Sequence, residues 1–241
     1  MGEGMSMLYL IRHGQASFGQ DNYDRLSPLG ITQAGILGNH LLGMRVFPDA
    51  VYSGEMSRQL DTAREVRARY GEQGVSTPEP SVLSGLNEFD STAVITSQIH
   101  DMQREDPTLG EHLSRMYQDK ESFKMVFEGA MLRWVSGALD RPGTETWKEF
   151  TDRVNGALAR IMEEQGTGRT VFAFTSGGPI AASLQLVLSL TPEKAIRHNW
   201  QIVNTSYTKY MYNSSRVTMA GFNCTTHLEM EQDRSRLITY R

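Results

Sequence analysis

Arg12, His13 and Gly14 directly follow a short apolar run, Met7 to Ile11 (MLYLI), and are the residues of this chain best equipped for chemistry. An arginine presents a planar fork of donors that matches the oxygens of a phosphate. A histidine held among positive groups has its charged form disfavoured, so it stays neutral and nucleophilic. Glycine lets the backbone pass close to a ligand. Taken alone, the tripeptide describes a strand end with a solvated histidine equally well. A second element extends the pattern: Ser53-Gly54 closes another short run, and Ser57-Arg58 opens the segment after it. An arginine in a first helical turn can join the free backbone N–H groups there in holding an anion. The plainer alternative is an N-cap serine followed by a solvated arginine.

These residues need elements to position them, and the apolar spacing supplies candidates. MLYLI is expected to form a buried strand with its chemistry at the C-terminal end, where parallel α/β sheets bind ligands. After a polar loop, Ser27-Pro28 suits a helix N-cap with proline at the first position, and the helix is expected to run to about Arg45. Asp49 to Ser53 is a second strand and Ser57 to Tyr70 a second helix, the alternation of a parallel α/β sheet. Residues 91–139 break this rhythm with helical segments, no strand candidate and an interruption at Asp106-Pro107. A helical insertion or cap over the cleft is expected there. The alternation resumes with a helix from Trp147 to about Met162, a strand TVFAF (Thr170 to Phe174), a helix from Pro179 and a shorter one from Pro192 to Asn199 capped by Thr191. Ile202 to Tyr212 and Val217 to Phe222 are expected to pair as a hairpin around Asn213-Ser214-Ser215. The fold class is therefore α/β: a mainly parallel central sheet, helices on both faces, one domain over residues 1–241 with an insertion at about 91–139.

Composition narrows the function. The 241 residues are 39% hydrophobic and 22% charged, ample for a packed core. A formal net charge of -4 leaves no basic footprint for nucleic acid, so an anion must be held by a local pocket. One cysteine, Cys224, rules out an internal disulfide framework and suits a reducing compartment. The first residues lack the charged and long apolar regions of a signal peptide, and no apolar run approaches the roughly 20 residues needed to span a bilayer. The expected setting is cytoplasmic, with no membrane partner; the oligomeric state is left open.

LYLIRHGQA, LSPLGITQA and VYSGEMSRQLDTA, in this order and spacing, resemble the histidine phosphatase superfamily, the phosphoglycerate-mutase-like proteins. PGTETWKEFTDRV, Asn204-Thr205-Ser206 and FNCTTHL are weaker echoes. The resemblance implies that His13 accepts a phosphoryl group and that Arg12 and Arg58 clamp it. It also implies that Glu88, in Leu86-Asn87-Glu88-Phe89, protonates the leaving oxygen. Chemistry agrees on the residue type, because an alkoxide leaves poorly without a positioned acid. Glu145 is a competing carboxylate whose place near a helix start suits capping better. The implied reaction is metal-independent hydrolysis of a small phosphorylated substrate through phosphohistidine. No cofactor is expected, and no acidic or His/Cys cluster has metal-ligand spacing.

The chain departs from that family at one place. The family pattern sets a second histidine after the later strand, and here Thr175-Ser176-Gly177-Gly178 follows it. Ser176 can donate one neutral hydrogen bond to a phosphate and, with free N–H groups around Gly177, stands as a phosphate-binding candidate. Without the cationic donor, a loss on the order of tens- to a hundredfold in rate is expected. Two alternatives stay open: a phosphate-ligand binder with little or no turnover, and a phosphoglycerate mutase-type phosphotransferase. His40, His100, His112, His198 and His227 are expected to be surface or structural residues.

Overall fold

The computed structural model describes residues 4–17, 24–116 and 118–240; the middle of the polar loop after the first strand lies outside them. Strand β1 (Ser6–Arg12) leads through α1 (Pro28–Gly43) to β2 (Ala50–Ser53), and α2 (Ser57–Glu72) leads to a two-residue β3 (Ser81–Val82) and a 3-10 turn at Ser84–Leu86. Three helices follow without a strand: α3 (Ser91–Glu105), α4 (Leu109–Arg115) and α5 (Lys120–Ser136). The chain then gives α6 (Trp147–Gln165), β4 (Thr170–Thr175), α7 (Gly177–Leu188), α8 (Pro192–Asn199), β5 (Tyr207–Tyr212), β6 (Val217–Cys224) and two short helices, α9 (Thr226–Glu229) and α10 (Arg234–Leu237).

The sheet order is β3-β2-β4-β1-β5-β6. The first four strands in that order run parallel, while β5 is antiparallel to both β1 and β6. Side chains alternate across the sheet, as strand geometry requires. Leu8, Leu10, Val171 and Ala173 face one core, shared with Ile180, Ile196, Phe150 and Trp134; Tyr9, Ile11, Phe172 and Phe174 face the other, shared with Leu37 and Val66. Helices α1 and α2 thus cover one face, and α5 to α8 the opposite one. The insertion is no separate body. Val94, Met102, Leu109, Val126 and Trp134 bury into the same core as Phe150 and Leu158, each such side chain contributing roughly 1.5–3 kcal/mol.

Helix ends follow local rules. Ser27 Oγ accepts from Gly30 N at 3.0 Å with Pro28 in the first turn, and Thr191 Oγ1 accepts from Lys194 N at 3.4 Å. Two expectations need correction. The last hairpin begins at Tyr207, not Ile202, because residues 202–206 bend through Thr205 at φ 60. The cap of α6 is Thr146, paired with Glu149 in a capping box, so Glu145 does not cap. Helix α2 opens at Ser57 with Arg58 in its first turn, as expected; its N-cap is Met56, which sets aside the alternative of an N-cap serine.

Candidate active site

His13 lies just past β1 and its backbone is tied on both sides. Its N–H donates to Thr175 O at 2.9 Å, and its carbonyl accepts from Thr205 N at 3.2 Å and Asn204 Nδ2 at 3.1 Å. Thr205, a β-branched residue in the left-handed region, is held there by burial and by a 3.1 Å contact between its hydroxyl and His227 Nε2. Strain of this kind persists only where surroundings impose it, and it clusters at functional sites. Gly14 accommodates the turn beyond: an added Cβ would lie 2.5 Å from the Gly30 carbonyl.

The imidazole is 4% exposed, and its two nitrogens have different partners. Nδ1 lies 2.7 Å from the Gly14 carbonyl, which can only accept, so Nδ1 carries the proton. Nε2 is left with its lone pair and accepts from Arg58 Nε at 3.1 Å. Burial, then the charges of Arg58 and Arg12, holds the His13 pKa well below the usual histidine range, against a small raising effect of the Gly14 carbonyl. The ring is neutral, with an in-plane lone pair at Nε2.

Arg58 is buried on the first turn of α2 rather than solvated. Its Nη1 forms a 2.7 Å ion pair with Asp24 Oδ1, and Asp24 Oδ2 accepts from Ser57 N at 2.8 Å. Arg12 is also buried. Its Nη1 donates to Ile202 O and its Nη2 donates to Tyr240 O at 2.9 Å, so backbone carbonyls fix the plane of this guanidinium.

Glu88 belongs to the same electrostatic cluster. Its Oε2 accepts from Gly178 N at 3.2 Å in the first turn of α7, and Oε1 accepts from Phe89 N at 3.3 Å. Burial raises its pKa above the usual carboxylate range; those N–H groups and the charges of Arg58 and Arg12 only partly oppose this. An added Cβ on Gly178 would fall 2.0 Å from Glu88 Oε1, so only glycine allows the carboxyl this close. The Glu88 loop hangs from Arg153, whose Nη1 donates to Gly85 O at 3.3 Å and Asn87 O at 2.8 Å and whose Nη2 donates to Glu88 O at 3.4 Å. Glu145 grips the other side of that guanidinium at 2.5 and 3.1 Å. Behind the loop, Phe89 packs on Trp134 of the insertion with ring centroids 4.7 Å apart.

Ser176 is fully buried at the end of β4, and its oxygen accepts from Gln59 Nε2 at 2.8 Å. Gly177 opens α7 beside it. The structure thus gathers His13, Arg12, Arg58 and Glu88, with Ser176 and Gly177 on the strand end next to His13. No role was expected for Asp24, Gln59, Asn204 or Arg153; Gln59, Asn204 and Arg153 lie inside the motifs that carry the resemblance, and Asp24 lies outside them. Of the remaining histidines, His100 is exposed, His112 Nδ1 meets Ser122 Oγ at 3.0 Å, His198 lies against Phe222, and His40 packs against the buried His227. Among the described residues, no group of three or more His, Cys, Asp or Glu side chains is arranged to hold a metal ion, and no helix is long and apolar enough to cross a membrane.

The chain matches the family model of the histidine phosphatase superfamily (branch 1) over residues 8–131 and 91–225. No curated protein sequence matches it significantly. Among solved structures, it is similar to a phosphoserine phosphatase mutant from Entamoeba histolytica in complex with phosphoserine, at 19% identity and TM-score 0.62, covering 92% of this chain and 99% of that one. A phosphoglycerate mutase from Bacillus anthracis str. Sterne superposes at 16% identity and TM-score 0.60, covering 98% and 96%. A mycobacterial glucosyl-3-phosphoglycerate phosphatase does so at 22% identity and TM-score 0.61, covering 92% and 100%. At such identities the likeness establishes a shared phosphoglycerate-mutase-like fold.

Proposed function

The chain belongs to the histidine phosphatase superfamily, and on that premise we propose that it is a phosphomonoester phosphatase working through a phosphohistidine on His13. The observation that carries this reading is the imidazole itself: buried, neutral, with Nδ1 committed to Gly14 O and the Nε2 lone pair facing Arg58. In the first step Nε2 attacks phosphorus and the P–O ester bond breaks. The departing alkoxide takes the proton of Glu88, whose burial keeps it protonated to higher pH than an ordinary carboxylate. In the second step water attacks the phosphohistidine, the P–N bond breaks, and the Glu88 carboxylate takes the water's proton. The proton stays on Nδ1 throughout, donated to Gly14 O.

Arg58 and Arg12 neutralise charge on the non-bridging oxygens, which is the main demand of phosphoryl transfer and is met without a metal in this reading. Arg12 does so in a fixed plane, since two of its nitrogens already hold carbonyls. Small phosphorylated metabolites are the favoured substrate class, supported by the phosphoserine bound to the amoebal relative. In this reading the insertion α3–α5, whose Trp134 packs on Phe89 next to Glu88, shapes the leaving-group side of the cleft.

The test is hydrolysis of an aryl phosphate by the purified chain without added metal and in the presence of EDTA. Slow, chelator-insensitive turnover is expected, together with acid-labile phosphate on His13 and loss of both in His13→Ala. Chelator-sensitive activity would sink the metal-free mechanism. The neutral Ser176 favours a second reading, a phosphate binder without turnover. Saturable phosphate binding with no phosphoenzyme would select it, and transfer to a second alcohol rather than water would select a mutase.

A further inference from the structure

Ser176 is the N-cap residue of α7, yet its hydroxyl makes no capping hydrogen bond. Its oxygen instead accepts from Gln59 Nε2 at 2.8 Å, and both residues have no exposed surface. The same amide nitrogen donates to Leu86 O at 3.1 Å, and Gln59 Oε1 accepts from Met56 N at 3.4 Å. Gln59 therefore bridges three pieces of the site. It follows Arg58 on α2, it touches the turn that leads into Glu88, and it reaches the residue after Thr175, whose carbonyl binds His13 N.

A buried amide is costly unless its polar atoms are used, and here each is. What it does to Ser176 follows from hydroxyl chemistry. A hydroxyl has one proton to give and lone pairs to receive. With its oxygen taken by an N–H donor, Ser176 keeps its own proton for another acceptor. A hydroxyl that accepts a hydrogen bond also becomes a better donor. We propose that Gln59 is a positioning residue that sets Ser176 as a hydrogen-bond donor to the phosphoryl group carried by His13. The inference rests on the phosphate-site reading above and names a residue it did not include. It also has a steric corollary. The Gln59 amide fills the space against Ser176 Oγ, so a larger side chain at 176 displaces it.

The experiment measures affinity for inorganic phosphate by calorimetry on the full chain, beside turnover of an aryl phosphate. Gln59→Met keeps the length of the side chain and removes its N–H donors. It is expected to weaken phosphate binding about three- to tenfold, the size of one modest hydrogen bond. Ser176→Ala should lose a similar factor, and adding Gln59→Met to it should cost little more, because both remove the same donor. Full additivity would show that Gln59 acts through the Leu86 carbonyl and overturns the proposal. So would wild-type affinity in Ser176→Ala, a variant that removes only a hydroxyl and carries the test where methionine is not accommodated.

A constructive arm adds a readout that structural support alone would not move. Ser176→His in the wild-type background is expected to gain nothing, because the ring meets Gln59. Combined with Gln59→Ala, it should bind phosphate more tightly than Gln59→Ala alone, with an advantage that fades as pH rises through the imidazole titration. Equal gains with and without Gln59 would overturn the proposal. Phosphate binding lost in Arg58→Ala but unchanged by Gln59→Met overturns the Gln59 assignment alone. Binding indifferent to both His13→Ala and Arg58→Ala removes the phosphate site, and the assignment with it.

Discussion

Asp24 holds Arg58 through a 2.7 Å ion pair, and its second oxygen receives the Ser57 N–H at 2.8 Å, so one carboxylate both anchors the guanidinium and satisfies the head of the helix that carries it. Arg58→Ala is expected to weaken phosphate or vanadate binding by about tenfold or more, the loss of a charge-assisted bond, and Arg58→Lys to restore it only in part, since a point charge replaces a planar fork. Asp24→Ala should cost about 1 kcal/mol of stability through the lost helix-head bond and raise the phosphate dissociation constant several-fold through a looser Arg58. Calorimetry with thermal melts checks both. Wild-type binding in Arg58→Ala would take Arg58 out of the site.

The pH dependence follows from opposite shifts in the two titrating groups. In the proposed mechanism His13 must be neutral to attack, and its lowered pKa keeps it so well below the usual histidine range. In the same mechanism Glu88 must be protonated to release an alkoxide, and its raised pKa extends that state above the usual carboxylate range. Activity should therefore fall on the alkaline side as Glu88 ionises and on the acid side as His13 protonates. Glu88→Gln is expected to abolish the alkaline limb and to lower kcat about 10²–10⁴-fold on alkyl phosphates. An aryl leaving group, which departs without a proton, should lose less. An unchanged pH–rate profile in Glu88→Gln would assign the acid role elsewhere.

Arg153 holds the Glu88 loop by three backbone carbonyls and is itself gripped by Glu145. Arg153→Ala leaves those partners unmatched and is expected to destabilise the fold by about 2–3 kcal/mol, with kcat falling more than KM rises. Denaturant melts and steady-state kinetics read the two effects separately. A stable variant with wild-type kcat would show that the loop holds its shape without this clamp.

His227 sits beneath Thr205 with its pKa pushed down to about 3, first by burial and then by the neighbouring His40. Its folded value lies below its unfolded one, so the unfolded chain takes up the proton first as pH drops. Its contribution to stability is complete above about pH 6.5 and is lost as pH falls toward about 3, on the order of a few kcal/mol. His13 acts in the same direction. Glu88 acts in the opposite one: between its ordinary and raised values, stability falls as pH rises. His227→Gln removes one titration and should flatten the acid limb of a stability-versus-pH curve. An equally steep limb in that variant would place the acid sensitivity in other groups.

The strand-helix alternation and the place of His13 were legible in the chain because both are local. Period-two and helical spacing reveal which faces are buried, and an apolar run ending in Arg-His-Gly puts chemistry at a strand end. Two-residue β3 left no such period, and residues 202–206 passed for strand because nothing in their types signals the left-handed turn at Thr205. What the sequence could not order were contacts between distant residues. Arg58 meets Asp24 across 34 positions, Arg153 meets Glu88 across 65, Gln59 meets Ser176 across 117, and Asn204 reaches His13 across 191. The chain by itself determined where the proposed phosphoryl acceptor, His13, stands and which elements carry it. Tertiary packing decided that residue's tautomer, the lowered pKa of its ring, the raised pKa of Glu88 and the partner of the Ser176 hydroxyl, because burial and hydrogen-bond geometry exist only once those distant segments meet.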